Sequence, residues 1–276
     1  MEKKRLLLVT QELDPYTGIS EISEMISKLP KYLQDNGLEL RILMPRYGTV
    51  NERRHRLHEV VRLSGMNIIV DDDDYPLIIK VASLPNSRLQ VYFLDNEDFF
   101  KRKSVFEDAE GKPFEDNPDR AIFFCKGAIE TVKKFGWAPD IIFCAGFLTS
   151  LIPFYLRTAY KTEPLFANSQ IVYAVYPTEF ESQGAERFFQ KANINNLTIE
   201  DLEPFRDGAD GISMHKGACA FSDGIIIGSE SVDTSVGYLS LDQDKAILAP
   251  PGEAYLPTYL EFFKNLAEAT VEETEY

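Results

Sequence analysis

Two acidic side chains follow the first apolar segment of the chain and could act there as a general acid and a general base. Glu12 and Asp14 come shortly after the run Arg5–Thr10, whose composition is typical of a buried parallel strand. Ligands of doubly wound α/β folds bind at the carboxyl ends of such strands, and paired carboxylates can transfer protons. No second element of such a site is visible in the sequence, so loop solvation is the competing interpretation.

The other residues with chemical potential are 3 histidines and 3 cysteines. His55 and His58 could share a helix face, but their arginine-rich surroundings are unfavourable for a cation, so we expect a solvated face. His215 could contact an anion together with Lys216, or it could simply start a helix. The cysteines are too scattered for a disulfide framework or a zinc site. We therefore expect neither a metal nor a cofactor.

Hydrophobic periodicity predicts the elements that would position these groups. After the first strand, Glu21–Asn36 has apolar residues at helical spacing, and Glu39–Met44 is a second apolar strand. This β-α-β unit is the opening of a doubly wound, mostly parallel, Rossmann-like sheet. Between Leu57 and Leu94 the pattern changes to alternating strands, with the acidic run Asp71–Asp74 at a hairpin tip.

The second part of the chain repeats the alternation of helices and strands, which predicts one α/β domain over residues 1–270 and a frayed acidic tail at 271–276. The predicted elements are, in order, helix Asn117–Phe135, strand Asp140–Cys144, a helix at about Thr149–Thr158, strands Gln170–Val175 and Gly224–Ile227, and a helix at about Thr258–Ala269.

The overall composition restricts the class of partner. The net charge is −15, which argues against nucleic acid, because binding to phosphates needs a basic face. An acidic surface suits a neutral partner such as a polysaccharide. The apolar stretch after the basic start is too short for a signal peptide, and no apolar run approaches the length of a membrane span. We expect a cytoplasmic protein that binds neither nucleic acid nor membrane.

A series of short motifs occurs along most of the chain. The motifs are Gln11-Glu12 followed by Leu29-Pro30-Lys31, the strand end Leu43-Met44-Pro45-Arg46-Tyr47-Gly48, Tyr92-Phe93-Leu94-Asp95-Asn96 with Phe99, the DNxxR segment Asp116–Arg120, Phe135-Gly136-Trp137-Ala138-Pro139-Asp140, and Lys216-Gly217 ahead of Gly228-Ser229. In their residues and in their order, these motifs resemble the bacterial glycogen/starch synthase family.

The resemblance implies the N-terminal domain of a GT-B glycosyltransferase. Members of this family transfer glucose from ADP-glucose to the non-reducing end of a glucan, so ADP-glucose and an α-glucan are the implied ligands. The implied substrate-binding positions lie in the nucleotide-sugar loop and in the DNxxR segment: Tyr16, Thr17, Gly18, Asp116, Asn117 and Arg120. For the second group the alternative is that Asp116 or Asn117 caps a helix and that Arg120 lies on the surface.

The residues expected to do the family's chemistry are largely replaced. A gapless alignment places Gly18-Ile19-Ser20-Glu21 at the family's KTGG, whose lysine and glycine amides meet the phosphates of the nucleotide sugar. The segment Ala145-Gly146-Phe147-Leu148-Thr149 aligns with the family motif HDWHT, and Ala174-Val175-Tyr176-Pro177 aligns with the family motif TIHN. No histidine remains at either position, so we expect no catalytic residue in this chain.

Three functional hypotheses follow from these losses. The first is a degenerate, non-catalytic homologue that acts as a binding or regulatory module. The second is a half-enzyme that needs a separate C-terminal chain, docked at the face of the missing domain, because Lys245–Pro250 stands where the family crosses between its domains. The third is a different enzyme on the same scaffold, working through Glu12, Asp14 or Asp116.

Overall fold

The computed structural model describes residues 3–178, 185–194, 197–198, 200–205, 211–232, 245–250 and 252–274. Over these residues the strands are β1 (Arg5–Thr10), β2 (Glu39–Pro45), β3 (His58–Glu59), β4 (Met66–Val70), β5 (Asp73–Ser83), β6 (Gln90–Asp95), β7 (Ile141–Ala145), β8 (Gln170–Val175), β9 (Gly224–Ile227) and β10 (Ala246–Leu248). The helices are α1 (Glu21–Asp35), α2 (Glu52–His55), α3 (Glu97–Phe100), α4 (Asn117–Phe135), α5 (Leu151–Arg157), α6 (Ala185–Ala192), α7 (Gly211–Ala220) and α8 (Tyr255–Thr274).

The strands form one sheet in the order β10-β9-β8-β7-β1-β2-β6-β5-β3, and β4 pairs with β5 outside this path. Every pair from β10 to β6 is parallel, whereas β5 runs antiparallel to β6. The chain moves to one side of β1 through β2 and β6 and then returns to its other side through β7. This reversal confirms the predicted doubly wound, mostly parallel α/β fold and places a topological switch point between β1 and β7.

The first β-α-β unit shows why the sequence folds this way. The apolar residues of β1 are buried, as expected of a parallel strand covered on both faces. Helix α1 turns Ile22, Ile26, Leu29 and Leu33 to the core at helical spacing. The Ser20 side chain caps the start of α1 by accepting a hydrogen bond from the backbone N–H of Ile22.

An antiparallel extension is attached to β2 and β6 by alternating charges. Arg46 lies 3.0 Å from Asp95 and 3.1 Å from Glu52, and Lys80 lies 2.9 Å and 2.7 Å from the same two carboxylates. The β4–β5 hairpin turns at residues 71 and 72, so the acidic run lies at its tip as predicted. Each cation thus faces two anions, which compensates the charges that β5 brings against the parallel strands.

The C-terminal part of the chain differs most from the sequence-based expectation. Helix α6 was not predicted, and α8 begins at Tyr255 and continues to Thr274, into the segment 271–276 predicted to fray. Residues 275 and 276 of that segment lie outside the described residues, and the single-domain extent 1–270 stays a prediction. No helix in the described part of the chain has both the length and the apolar character needed to cross a membrane.

Candidate functional site

A pocket of about 160 Å³ opens at the carboxyl edge of the parallel sheet, beside the switch point between β1 and β7. The loops after β1, β7 and β8, the starts of α1 and α4, and the segment 106–113 form its walls. Its lining residues are Gln11, Glu12, Ile19, Ser20, Phe106, Glu107, Pro113, Asn117, Phe147, Pro177 and Thr178.

The wall formed by β1 and α1 is organised around the buried carboxylate of Glu12. The backbone N–H groups of Ile19 and Ser20 donate to its Oε2 at 2.8 and 2.9 Å. The Ser20 hydroxyl donates to Oε1 at 2.7 Å, and Gln11 Nε2 lies 3.3 Å from the same atom. These amides at the start of α1 are the type of donor that binds anions, and Glu12 already occupies them.

The predicted nucleotide-sugar residues 16–18 lie beside the pocket and do not line it. Tyr16 is buried against Phe93, and its hydroxyl donates to the Ser83 carbonyl at 2.9 Å. Desolvation raises the pKa of Tyr16 to about 12, so its hydroxyl stays protonated at neutral pH. Thr17 is buried and pairs with Leu13 in an isolated β-bridge, whereas Gly18 is exposed. These residues shape the loop, and a substrate contact by any of them stays a prediction.

The loop after β7, at the family's HDWHT position, carries no titratable side chain between Ala145 and Thr149. Gly146 has φ 88° and ψ 162°, a backbone conformation that is essentially restricted to glycine. A Cβ atom there would stand 2.4 Å from Cδ of Gln11. Phe147 packs against Phe106 with ring centroids 5.0 Å apart, and Leu148 is completely buried. Apolar packing therefore replaces the family's histidines and aspartate.

The DNxxR residues divide between the pocket and the core. Asp116 pairs with Arg102 through an Nη1–Oδ1 contact of 2.8 Å and stands at the N-cap position of α4 without a side-chain cap bond. Asn117 lines the pocket, but its Nδ2 donates to the Phe106 carbonyl at 2.9 Å and its Oδ1 accepts from Arg120. Of the predicted substrate-binding residues, Asn117 is thus the one that reaches the pocket.

Arg120 corrects both interpretations of the DNxxR segment, because it is neither a pocket residue nor a surface residue. Its side chain is 0% exposed. The guanidinium donates to the carbonyls of Phe99 and Val105 at 2.8 and 2.6 Å and to Asn117 Oδ1 at 2.7 Å. Desolvation lowers the pKa of Arg120 to about 10, which leaves it charged at neutral pH. It fixes the backbone of the segment that precedes α4.

The wall formed by β8 and α7 contains a hydrogen-bonded chain that the sequence did not predict. His215 lies in the middle of α7 and is buried, so it neither starts the helix nor reaches an anion in solvent. Its Nδ1 lies 2.8 Å from the Tyr173 hydroxyl, and its Nε2 lies 2.9 Å from Thr178 Oγ1. Burial lowers the pKa of His215 to about 4. The imidazole is therefore neutral, and no local sequence pattern links these three positions.

The aromatic residue at the TIHN position belongs to the core. Tyr176 is buried, and its ring covers Gly228 so closely that a Cβ atom there would lie 2.4 Å from the ring. Tyr173 and Tyr176 are thus core residues, and Phe180, a further aromatic residue of the same region, lies outside the described residues. At position 176 a packed phenol therefore stands in place of the family's histidine.

Comparison with known proteins agrees with this architecture. The family model described as "Starch synthase catalytic domain" matches residues 5–240. The chain belongs to this family. A glycogen synthase from Chlorobium limicola is 37% identical over 188 residues, which are 68% of this chain and 38% of that relative. A glycogen synthase from Chlorobaculum parvum is 35% identical over 207 residues, 75% of this chain and 42% of the relative.

The starch synthase fold is also found among solved structures. The catalytic domain of starch synthase IV from Arabidopsis thaliana, bound to ADP and acarbose, superposes with a TM-score of 0.73 at 18% identity. The match covers 90% of this chain and 51% of that one. The chain thus spans about two fifths of the length of the curated relatives named above, at 38% and 42%. The resemblance to glycogen/starch synthases is confirmed, as is the GT-B-type α/β fold.

Proposed function

We propose that this starch synthase-type domain binds a neutral carbohydrate of the α-glucan class in its carboxyl-edge pocket and does not itself transfer glucose. The observation that carries the proposal is the Glu12 carboxylate at the start of α1. It accepts the hydrogen bonds of Ile19 and Ser20 that a phosphate would otherwise receive at a helix N-terminus. A nucleotide diphosphate would have to displace a buried, hydrogen-bonded anion.

The loop after β7 supports the same proposal. Transfer of a glucosyl group needs side chains that stabilise the charge developing in the transition state. Phe147 and Leu148 offer none, and the glycine conformation at position 146 together with Gln11 leaves no room for the family's aspartate. The pocket can therefore hold a ligand more readily than it can activate one.

The remaining chemistry of the pocket suits an uncharged, hydroxylated ligand. Phe106 and the largely buried Phe147 give the pocket an aromatic lining, Ser20 and Thr178 carry hydroxyl groups, and Glu107 adds negative charge. None of the described residues that line this pocket is a lysine, arginine or histidine that would attract a phosphate. Aromatic faces with a few polar groups are the usual lining of small-molecule sites.

Calorimetric titration with maltotriose, ADP and ADP-glucose tests the proposal, with a glucosyl-transfer assay on the same samples. We expect heat of binding from maltotriose, none from ADP, and no transfer. Glu107→Gln provides a matched variant, because it removes the pocket's remaining negative charge without changing its size. Turnover of ADP-glucose, or tight ADP binding by the unmodified chain, would overturn the proposal.

A second candidate is glucosyl transfer completed by a further domain, in the same chain or in a partner. Family membership and the greater length of the curated relatives favour it. Adding such a domain should then produce transfer activity. The third hypothesis, a different enzyme working through Glu12, Asp14 or Asp116, has less support. Glu12 is saturated by hydrogen bonds, whereas Asp14 is exposed and Asp116 is paired with Arg102, and neither of these two lines the pocket.

A further inference from the structure

We propose that Thr178 presents a hydrogen-bond acceptor to a hydroxyl group of the bound ligand, and that His215 is the residue that positions it. The inference rests on the proposed carbohydrate-binding function and names the polar contact that makes the pocket selective for hydroxylated ligands. Thr178 lines the pocket, whereas His215 lies behind it in α7, where its ring contacts the Thr178 hydroxyl and the Tyr176 backbone.

In the proposed arrangement, the partners of the His215 ring assign its proton to Nε2. Among the hydrogen bonds of the described residues, the Tyr173 hydroxyl is paired with His215 Nδ1 and with no carbonyl or carboxylate. Nδ1 is thus the acceptor within its reach, and in the proposed arrangement the Tyr173 hydroxyl donates to it. The proton of the neutral imidazole then lies on Nε2, which donates to Thr178 Oγ1 at 2.9 Å.

The donor-to-acceptor direction of the hydrogen bonds from Tyr173 through His215 to Thr178 leaves one lone pair of the Thr178 hydroxyl oxygen for the ligand. The Thr178 hydroxyl donates its own proton to the Tyr176 carbonyl at 3.3 Å. A hydroxyl oxygen has two acceptor sites, and the Nε2–H of His215 uses one of them. Because Thr178 lines the pocket, we assign the second site to the ligand. A ligand that donates a hydrogen bond is therefore matched, and an anion, which can only accept, is not.

Packing holds the Thr178 side chain in the orientation that its hydrogen bond with His215 requires. Gly211, at the start of α7, stands so close that a Cβ atom there would lie 2.7 Å from Cγ2 of Thr178. The methyl group thus rests on the helix backbone while the hydroxyl points to the imidazole. Because β8 and α7 are both part of the sheet-and-helix core, the lone pair has a fixed direction before any ligand arrives.

Thr178→Val is the central variant, because valine keeps the shape of threonine and removes the hydroxyl. We expect maltotriose affinity, measured by calorimetry, to fall about tenfold, the effect of one neutral hydrogen bond. Thr178→Ser should retain affinity within about threefold of the unmodified chain, since the hydroxyl remains. Thr258→Val is the matched control: it removes a threonine hydroxyl on α8, outside the pocket, and should leave the affinity unchanged.

Nitrogen NMR of the His215 ring separates positioning from simple structural support. We expect the Nε2–H tautomer in the unmodified chain, and maltotriose should shift the Nε2 resonance there but not in Thr178→Val. Tyr173→Phe removes the donor to Nδ1, so it should redistribute the tautomers and weaken maltotriose binding severalfold while the chain stays folded by circular dichroism.

The outcomes distinguish this inference from the proposed function. If the unmodified chain does not bind maltotriose, the proposed function fails and the inference fails with it. If maltotriose binds equally well to the unmodified chain and to Thr178→Val, the proposed function stands and the inference is overturned. An Nδ1–H tautomer in the unmodified chain would also overturn it, whatever the affinity.

Discussion

The two walls of the pocket solve the problem of buried polar groups in opposite ways. On the β1–α1 side, the charged Glu12 receives backbone and hydroxyl donors until its oxygens are satisfied from within the chain. On the β8–α7 side, a chain of neutral groups runs from Tyr173 through His215 to Thr178 and leaves an acceptor unused. Because the Glu12 oxygens already have hydrogen-bond donors from the protein itself, the first wall is a structural element. The unused acceptor of Thr178 makes the second wall the place where a ligand can be recognised.

The largest effect is expected where the first wall meets the loop after β7. Gly146→Asp restores the family's residue but puts a side chain where φ is 88° and where Gln11 lies 2.4 Å from the new Cβ. Backbone strain and overpacking should together lower the free energy of unfolding by about 3 to 5 kcal/mol in urea denaturation. Adding Gln11→Ala should recover only the part due to the contact. An unchanged urea midpoint for the single variant would contradict this account of the loop.

Glu12→Ala should cause the next largest loss. It removes the acceptor of the Ile19 and Ser20 amides, and a hydrogen bond to a charged group contributes about 1.5 to 3 kcal/mol. We expect the free energy of unfolding to fall by about 3 kcal/mol. We also expect phosphate, added as inorganic phosphate, to stabilise this variant more than the unmodified chain. A variant as stable as the unmodified chain would show that the first wall is not organised by this carboxylate.

Lowering the pH should reduce the free energy of unfolding through His215 in the second wall. Burial lowers the pKa of His215 from 6.5 to about 4, so between these values the unfolded chain binds a proton that the folded chain does not. Stability contributed by the neutral imidazole is thus lost as the pH falls below 6.5, by about 2 kcal/mol at pH 5. Urea unfolding at pH 7 and pH 5 measures this loss.

Two variants make the pH experiment specific to His215. His215→Gln should reduce the difference between pH 7 and pH 5 by about 2 kcal/mol, whatever its stability at pH 7. His58→Gln changes an exposed histidine of β3 and should keep the difference found for the unmodified chain. Equal differences in all three proteins would mean that the buried imidazole is not kept neutral.

The smallest effect is expected at Ser20, which connects the first wall to α1. Its hydroxyl caps the helix by accepting from Ile22 N and also donates to Glu12. Ser20→Ala should cost about 1 kcal/mol, a typical value for a lost N-cap. Ser27→Ala on the exposed face of the same helix serves as the control and should change the urea midpoint little. A cost at Ser20 equal to that of Glu12→Ala would show that the hydroxyl dominates this wall.

Periodicity predicted most of the fold because the signals were local. The bounds of β1, α4, β8 and β9 agree with the sequence-based prediction, since continuous apolar runs and a long helical repeat depend on near neighbours. Helix α6 was missed, because its 8 residues give only a short helical repeat.

The candidate site was harder to predict because its contacts join distant parts of the chain. The family motifs drew attention to Gly18 and Arg120, yet Gly18 lies beside the pocket and Arg120 lies in the core. Thr178 and His215 are 37 positions apart and meet only because α7 folds back onto β8. A sequence pattern relates residues that are close along the chain, so it cannot link a loop residue to a distant residue in the middle of a helix.

The buried Arg120 has a consequence for the kinetics of opening. Its bonds to the carbonyls of Phe99 and Val105 attach the end of α3 and the loop that follows it to the first turn of α4. Exposing that backbone to solvent requires breaking charge-assisted hydrogen bonds in the interior of the domain. Amide hydrogens around this segment should therefore exchange with deuterium on the slow timescale of the α4 core rather than on the fast timescale of surface loops, so that this side of the pocket opens only when the core does.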